Sequence, residues 1–424
     1  MRRKRKHQEI EPIEVTLTIE EMAFMGEGLA RRDGDAVFVP GTIPGEEVAA
    51  TIWRKRRSLL EADLKEVIVP SPHRIAPPCP YFGPCTGCQW QHIDYPYQLA
   101  IKTRLVADQM RRVGGFDDPP LAPTIGCDDP WGYRNHARFT VGPDGQLGFV
   151  NKARRRFVRI DKCLIMDDGI NDILAQLQDN CQETTQLSVR YGVGTGQWLI
   201  QPTLQSLEVT IETGQTHYEE EVLGRRFRIA SPSFFQVNVR QAARLVELVR
   251  DALELAESDT LVDAYAGVGT FAALLAPRVR HVFAIEESAS AIEDARVNID
   301  GLANVTMIEA RTEDALAQLP EPADAVILDP PRVGCHPGAL DALMALNPPR
   351  VVYVSCDPAS LARDLKRLCS ETYDLVEVRP IDMFPHTHHI ECVATLRRRQ
   401  AEETGNEGRG TKEGEEERAR AAAY

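Results

Sequence analysis

No stretch of this chain approaches the roughly 18 consecutive apolar residues that a membrane-spanning helix needs, and its charged start is not followed by the apolar run of a secretion signal. No membrane partner is expected, and the expected location is the cytoplasm. The same absence governs the ten cysteines, which in a reducing compartment are free thiols, metal ligands or catalytic groups rather than disulfides. Net positive charge is missing too, the formal total being -14 over 424 residues. Taken whole, that argues against nucleic acid as a partner. Phosphate binding follows local patches, however, and basic runs stand at residues 2–6, 54–57 and 152–156 while many acids lie in the later half and the tail. Nothing indicates an obligate protein partner. The length suits about two to four domains with sizeable cores.

What is present is organised around Val351 to Pro358. Five residues of strong β preference, Val351-Val352-Tyr353-Val354-Ser355, suit the middle of a parallel sheet, and Asp357-Pro358 then supplies an N-cap and a proline at the first helical position. Cys356 is thereby placed at a strand's carboxyl end, where open α/β sheets put their ligands. The helix N-terminus favours its thiolate, while the neighbouring Asp357 carboxylate opposes it. The competing reading is a small apolar core residue, which is what most cysteines are.

Ahead of this, residues 13–68 alternate short β-rich runs with turns at 26–28, 33–35 and 44–46. That spacing suggests a small barrel of the oligonucleotide-binding type. Gly26-Glu27-Gly28-Leu29-Ala30 and Phe38-Val39-Pro40-Gly41-Thr42-Ile43-Pro44-Gly45-Glu46 resemble the TRAM domain, a small RNA-binding barrel, and the basic run at 54–57 favours RNA over a ligand-free structural role.

Next come Cys79, Cys85 and Cys88, separated by five and then two residues in a Pro/Gly-rich segment that is neither regular helix nor central strand. Such a loop folds its sulfurs toward one centre and turns backbone N–H groups onto them, with Tyr81, Phe82 and Trp90 available as shields. The expected fourth ligand is Cys163, preferred to Cys127 and Cys181. A [4Fe-4S] cluster is expected; zinc is the alternative, although its sites more often use two close pairs. Residues 95–113 read as an amphipathic helix, and strand-like runs from 133 to 229 read as a mostly β domain. Its Arg134, Arg138 and the 152–156 run are candidate RNA contacts.

Beyond residue 240 strand and helix alternate, giving a doubly wound, seven-stranded sheet of Rossmann-like type. The loop Ala266-Gly267-Val268-Gly269-Thr270 follows its first strand, and Glu286, about 20 residues on, suits ribose hydroxyls. A dinucleotide would fit the same description. The short Gly-Val-Gly, the Asp329-Pro330-Pro331-Arg332 strand end and a last strand pair without an intervening helix point instead to S-adenosylmethionine (SAM).

Phe234-Phe235-Gln236-Val237-Asn238, Asp263 to Phe271, Asp329 to Arg332, Ser355-Cys356-Asp357-Pro358 and His388-His389-Ile390-Glu391 together resemble the bacterial RNA (uracil-5-)-methyltransferases, over nearly the whole chain. With a barrel and four cysteines in front, the resemblance is strongest to the branch that acts on 23S ribosomal RNA. It implies Cys356 as nucleophile and Glu391 as base, with Gln236, Tyr265, Thr270, Glu286 and Asp329 at the SAM and uracil sites. Ala266 stands where relatives often have Cys, and Arg311 matches too poorly to be assigned. The implied organisation is an RNA-binding barrel over 1–70, an iron-sulfur domain over 71–233, a SAM-dependent methyltransferase domain over 234–399 and a disordered tail from 400 to 424. Two alternatives stay open. One is methylation of a tRNA uridine; the other is an amino-methyltransferase, whose Asp-Pro-Pro loop would carry an aromatic where Arg332 stands. His386, His388 and His389 read as polar lining rather than a metal site, and Cys335, Cys369 and Cys392 as packing.

Overall fold

The computed structural model describes residues 8–56, 59–151 and 155–400. Residues 2–6, Arg57, the 152–154 part of the third basic run and the tail from 401, where disorder is expected, lie outside them. Six strands between Gln8 and Val69 form one sheet, curled around Leu17, Val37, Val39, Val48 and Ile52. The segment at 28–32, part of which reads as turn, is a strand here. In the second basic run, Arg54 pairs with Glu61 at 3.2 Å and Lys55 with Asp35 at 2.7 Å, which leaves that patch partly neutralised. The turn at 44–46 carries a tether: buried Glu46 accepts from Ile43 N at 2.9 Å, Ser71 N at 3.2 Å and Arg74 Nη2 at 2.8 Å. Such charge-assisted bonds fix where the chain leaves the sheet.

Helix α1 (Tyr95–Gln109) is capped by Asp94, which accepts from Tyr97 N at 2.8 Å, and it runs into one π turn that ends at Gly115 with φ 75°. A five-stranded antiparallel sheet follows, His136–Val141 and Gln186–Tyr191 pairing near its middle. Two of its surroundings escape the sequence reading: a helix over Asp168–Leu177 and a strand over His217–Val222 that pairs with Arg225–Ala230. Ala230 N donates to buried Asp294 at 2.7 Å, so that hairpin is tied to the segment beyond 240.

The last sheet has seven strands: β1 (Thr260–Asp263), β2 (His281–Glu286), β3 (Val305–Glu309), β4 (Ala325–Leu328), β5 (Arg350–Ser355), β6 (Tyr373–Ile381) and β7 (Glu391–Arg398). Their order is β3-β2-β1-β4-β5-β7-β6. The first five are parallel, and β7 runs against both β5 and β6. Continuous apolar runs such as Ala325-Val326-Ile327-Leu328 are what a strand covered on both faces requires, and all four are buried. One core layer lies on each side. Helix α2 (Pro358–Glu371) leaves β5 through the expected cap, Asp357 accepting from Ser360 N at 2.8 Å.

Candidate active site

Topology brings Cys356 and Glu391 together. Ser355 pairs with Cys392 in the antiparallel β5–β7 ladder, so one step toward the sheet edge sets Cys356 across from Glu391. Asp329 follows β4, the next strand over. All three line one cavity of about 1340 Å³, larger than the roughly 300–1,000 Å³ of a usual small-molecule site. Gln236, Tyr265, Thr270 and Glu286 line the same cavity. So does Arg311, which is ion-paired with Glu313.

The floor of the cavity is built by the Gly-rich loop. Gly267 (φ 55°) and Gly269 (φ 84°) occupy the left-handed region that disfavours other residues, and a Cβ on Gly267 would meet nothing within 4 Å. Glu286 accepts from Gly267 N at 2.8 Å and, through its other oxygen, from Ser288 N at 2.8 Å. Asp263, buried below, accepts from Ala272 N at 3.0 Å through one oxygen while the other has no protein partner. This donor and acceptor set, with glycines that admit close approach, suits a ribosyl cofactor.

Burial dominates the electrostatics. Desolvation pushes Asp329 up to about 7, and pushes Asp263 to about 7 with the Asp329 charge adding to it. Glu391 is raised well above the usual carboxylate range by burial and then by Asp329, with Arg332 opposing. Cys356 is pushed up to about 11 by burial and by Glu391. Local reasoning about the helix N-terminus and Asp357 therefore misses the two larger influences on this thiol.

Sequence reasoning also missed Arg332 as a member of the site. Its positive charge favours the Cys356 thiolate, and its Nη2 lies 2.8 Å from His389 Nδ1. The available signal was its place, three residues past Asp329 at the same sheet edge. The three histidines divide. His389 lines the cavity, whereas His386 is buried, stacked on Trp131 with ring centroids 3.8 Å apart. Of the aromatic residues near 234, Phe234 is exposed and Phe235 is buried.

The cysteine loop lies elsewhere. Tyr81 OH donates to Asp161 at 3.0 Å and accepts from Asp161 N at 3.1 Å, which ties the loop to the segment of Cys163. Burial, with Cys163, Cys85 and Cys79 adding to it, pushes the Cys88 thiol up to about 12. Cys163 is likewise pushed to about 11 by burial, with Cys85 and Cys79 adding. Among the described residues, however, no group of three or more His, Cys, Asp or Glu side chains has the geometry to hold a metal ion. This departs from the expected four-cysteine cluster: burial keeps the Cys88 and Cys163 thiols protonated, and neutral thiols are not drawn onto one centre as metal-bound thiolates are. Cys127 sits apart, its Sγ 3.4 Å from Asp382 O, and Cys181 is buried against Leu177 O.

Comparison with known proteins gives two family matches, tRNA (Uracil-5-)-methyltransferase over residues 205–399 and TRAM domain over residues 13–65. An uncharacterized RNA methyltransferase of Gloeobacter violaceus is 37% identical, covering 91% of this chain and 96% of its own length. Another, of Thermosynechococcus vestitus, is 34% identical over 90% of this chain and 97% of its own. Among solved structures, the tRNA (uracil-54, C5)-methyltransferase of Pyrococcus abyssi in complex with S-adenosyl-L-homocysteine matches with a TM-score of 0.70 at 25% identity, covering 90% of this chain and 99% of that one.

Proposed function

The chain belongs to the RNA (uracil-5-)-methyltransferase family that carries a TRAM domain, and from that premise we propose that it methylates C5 of a uridine in RNA, with Cys356 as nucleophile and Glu391 as base. The observation that carries this reading is the placement of a thiol and a carboxyl group across one strand pair, over a cavity with room for a cofactor and a base. SAM, when bound, supplies an electrophilic methyl group on a positively charged sulfur.

Uracil C5 is a poor nucleophile. The Cys356 thiolate adds to C6, the C5–C6 electrons pass into an enolate, and C5 takes the methyl group as the carbon–sulfur bond of SAM breaks. The Glu391 carboxylate then removes the C5 proton, the C6–sulfur bond breaks, and its electrons return to Cys356. Arg332 stabilises the thiolate before addition and after elimination. Burial raises the Glu391 pKa and so the basicity of its carboxylate, while nearby cations such as Arg332 offset part of that rise and keep the charged form accessible. Gln236 faces the same cavity, and its amide suits the enolate oxygen. The target base must leave its stack to reach Cys356, and exposed Phe234 at the cavity rim suits it as a stacking surface.

We further propose that Cys79, Cys85, Cys88 and Cys163 hold a [4Fe-4S] cluster, with zinc as the alternative. The spacing of Cys79, Cys85 and Cys88 in a Pro/Gly-rich loop supports this, as do the Tyr81–Asp161 hydrogen bonds that tie that loop to the segment of Cys163. The barrel and the cysteines favour 23S ribosomal RNA as substrate. A tRNA substrate is the second reading, favoured by the Pyrococcus relative.

A denaturing gel tests the chemistry. With SAM and 5-fluorouridine-substituted RNA, wild type should give a shifted protein–RNA band and Cys356→Ala none, because fluorine at C5 is not removed as a proton is. The RNA that gives the band, ribosomal or transfer, identifies the substrate class. If neither RNA gives a band in a protein that binds SAM, the covalent mechanism is wrong.

A further inference from the structure

The loop from Asp382 to Ile390 leads directly into Glu391, and its shape is set from outside the catalytic sheet. Lys102, on α1, is completely buried. Its ammonium has three protons and three acceptors: Asp382 Oδ1 at 2.6 Å, His389 O at 2.8 Å and Phe384 O at 3.2 Å. The charge lies 5.7 Å from the centre of the buried Trp90 ring. Asp382 is equally buried and saturated. Its Oδ2 accepts from Tyr95 OH at 3.0 Å, and its Oδ1 also accepts from Phe384 N at 3.1 Å.

Neighbouring bonds hold the rest of the loop. Gln98, one turn earlier on α1, accepts from His386 N at 3.0 Å, while Gln89 N and Trp90 N both donate to His386 O at 3.0 Å. Every carbonyl that could let the turn rotate at 384, 386 or 389 is therefore held by a donor from residues 89–102.

Stability alone does not account for such a pair. A buried ion pair replaced by well-packed apolar side chains of similar volume is often neutral or stabilising, so a fold that needed only packing here would do as well with methionine and leucine. What an apolar side chain lacks is a donor that reaches two carbonyls on either side of a turn. One of them, His389 O, lies two residues before Glu391, and the His389 ring is the partner of Arg332, which lines the same cavity as Cys356.

We infer that Lys102, with Asp382, is a positioning residue for the catalytic base: it fixes the 384–389 turn so that Glu391 enters β7 facing Cys356. The inference rests on the reading of Glu391 as base. It also makes α1, which lies between the cysteine loop and the catalytic sheet, part of the catalytic apparatus without any contact with substrate.

The test uses the full-length protein and three variants: Lys102→Met, Lys102→Met with Asp382→Asn, and Glu391→Gln. The double variant removes both charges and keeps an oxygen to accept from Phe384 N, while its amide NH2 can donate to the Tyr95 oxygen in place of accepting from that hydroxyl. Thermal midpoint, kcat, KM for RNA and for SAM, and trapping on 5-fluorouridine RNA are measured for each. In both Lys102 variants kcat should fall about 100-fold, the scale of a 1 Å misplacement, and KM should fall with it, because slowed proton removal after irreversible methyl transfer leaves kcat/KM near wild type. Trapping should persist, because it needs Cys356 but no proton removal. On ordinary uridine RNA the methylated covalent adduct should build up, as in Glu391→Gln. The double variant should regain the thermal midpoint that Lys102→Met loses, and not kcat. Recovery of kcat together with stability would make the pair purely structural and overturn the inference, as would loss of trapping in the stable double variant. Wild-type turnover by Glu391→Gln would instead remove the assignment of the base, whatever Lys102 does.

Discussion

At the residue scale, the reactivity of Cys356 is a contest among burial, Glu391 and Arg332, and the contest has measurable signs. Burial and the Glu391 carboxyl group push the thiol up to about 11, against the Arg332 cation. Only the thiolate reacts with alkylating agents, so iodoacetamide should modify ligand-free Cys356 slowly at pH 8 and faster by about tenfold per pH unit above it. Removing the cation in Arg332→Met makes the thiol less acidic still and should slow alkylation at pH 8 by about tenfold, the effect of losing roughly 1.4 kcal/mol of thiolate stabilisation. Glu391→Gln removes a carboxyl group whose ionisation opposes the thiolate, and should speed alkylation at the alkaline end of the series, where that carboxyl group is charged. Mass spectrometry of the peptide containing Cys356 reads both rates, and a common sign in the two variants would refute this account. The sequence places Cys356 and Glu391 at one sheet edge because strand ends are legible from apolar runs and caps. It does not carry the sign of the thiol's displacement, which depends on depth and on a residue 35 positions away across a ladder.

At the element scale, the seven-stranded sheet is legible because its central strands are short apolar runs with their own punctuation, while two elements of the middle region are not. The strand over His217–Val222 contains Glu219-Glu220-Glu221, a composition that argues against a strand. Tertiary context reverses it: Glu220 is buried and accepts from Val193 N and Gly194 N at 2.9 Å each and from Asn135 Nδ2 at 3.3 Å. The helix over Asp168–Leu177 did carry a signal, with Ile170, Ile173, Leu174 and Leu177 buried at helical spacing. Its Gly169 and its setting among strands obscured it. The turn at 26–28 in the first sheet has a role that spacing alone does not reveal. Gly26 has φ 88°, its carbonyl accepts from Trp90 Nε1 at 3.0 Å, and a Cβ added to it would lie 2.8 Å from His388 Cβ. A side chain there meets both backbone strain and the loop before Glu391. Gly26→Ala should therefore cost about 1–3 kcal/mol in stability and lower kcat, whereas Gly34→Ala, at φ 84° with nothing within 4 Å of its Cβ, should show the strain without the loss of kcat. Chemical denaturation and methyl-transfer assays on the two variants separate these effects.

At the scale of the whole molecule, the chain places its recognition and catalytic parts far apart in sequence and joins them through residues 89–102. Gln89 and Trp90 follow Cys88 directly, and both bind His386 O, so the cysteine loop and the turn before Glu391 share hydrogen bonds. This link was not legible in the sequence, since Lys102 and Asp382 are 280 residues apart and neither belongs to a motif. It gives the cysteine loop a consequence beyond local stability. If the four cysteines hold a cluster, a loop restrained at Cys88 restrains Gln89 and Trp90, and loss of that restraint reaches His386. Oxidative removal of iron in the presence of a chelator, or Cys88→Ser, should then lower the thermal midpoint and reduce kcat. Cys369→Ser, at a cysteine remote from this loop, should change neither. The decisive control is composition: iron measured in anaerobically purified wild type should be lost from Cys88→Ser and retained in Cys369→Ser. A colourless wild-type protein containing zinc would assign the site to zinc while leaving the mechanical link intact. Unchanged kcat after complete loss of the metal would show that the shared hydrogen bonds at His386 O hold the turn without help from the cysteine loop.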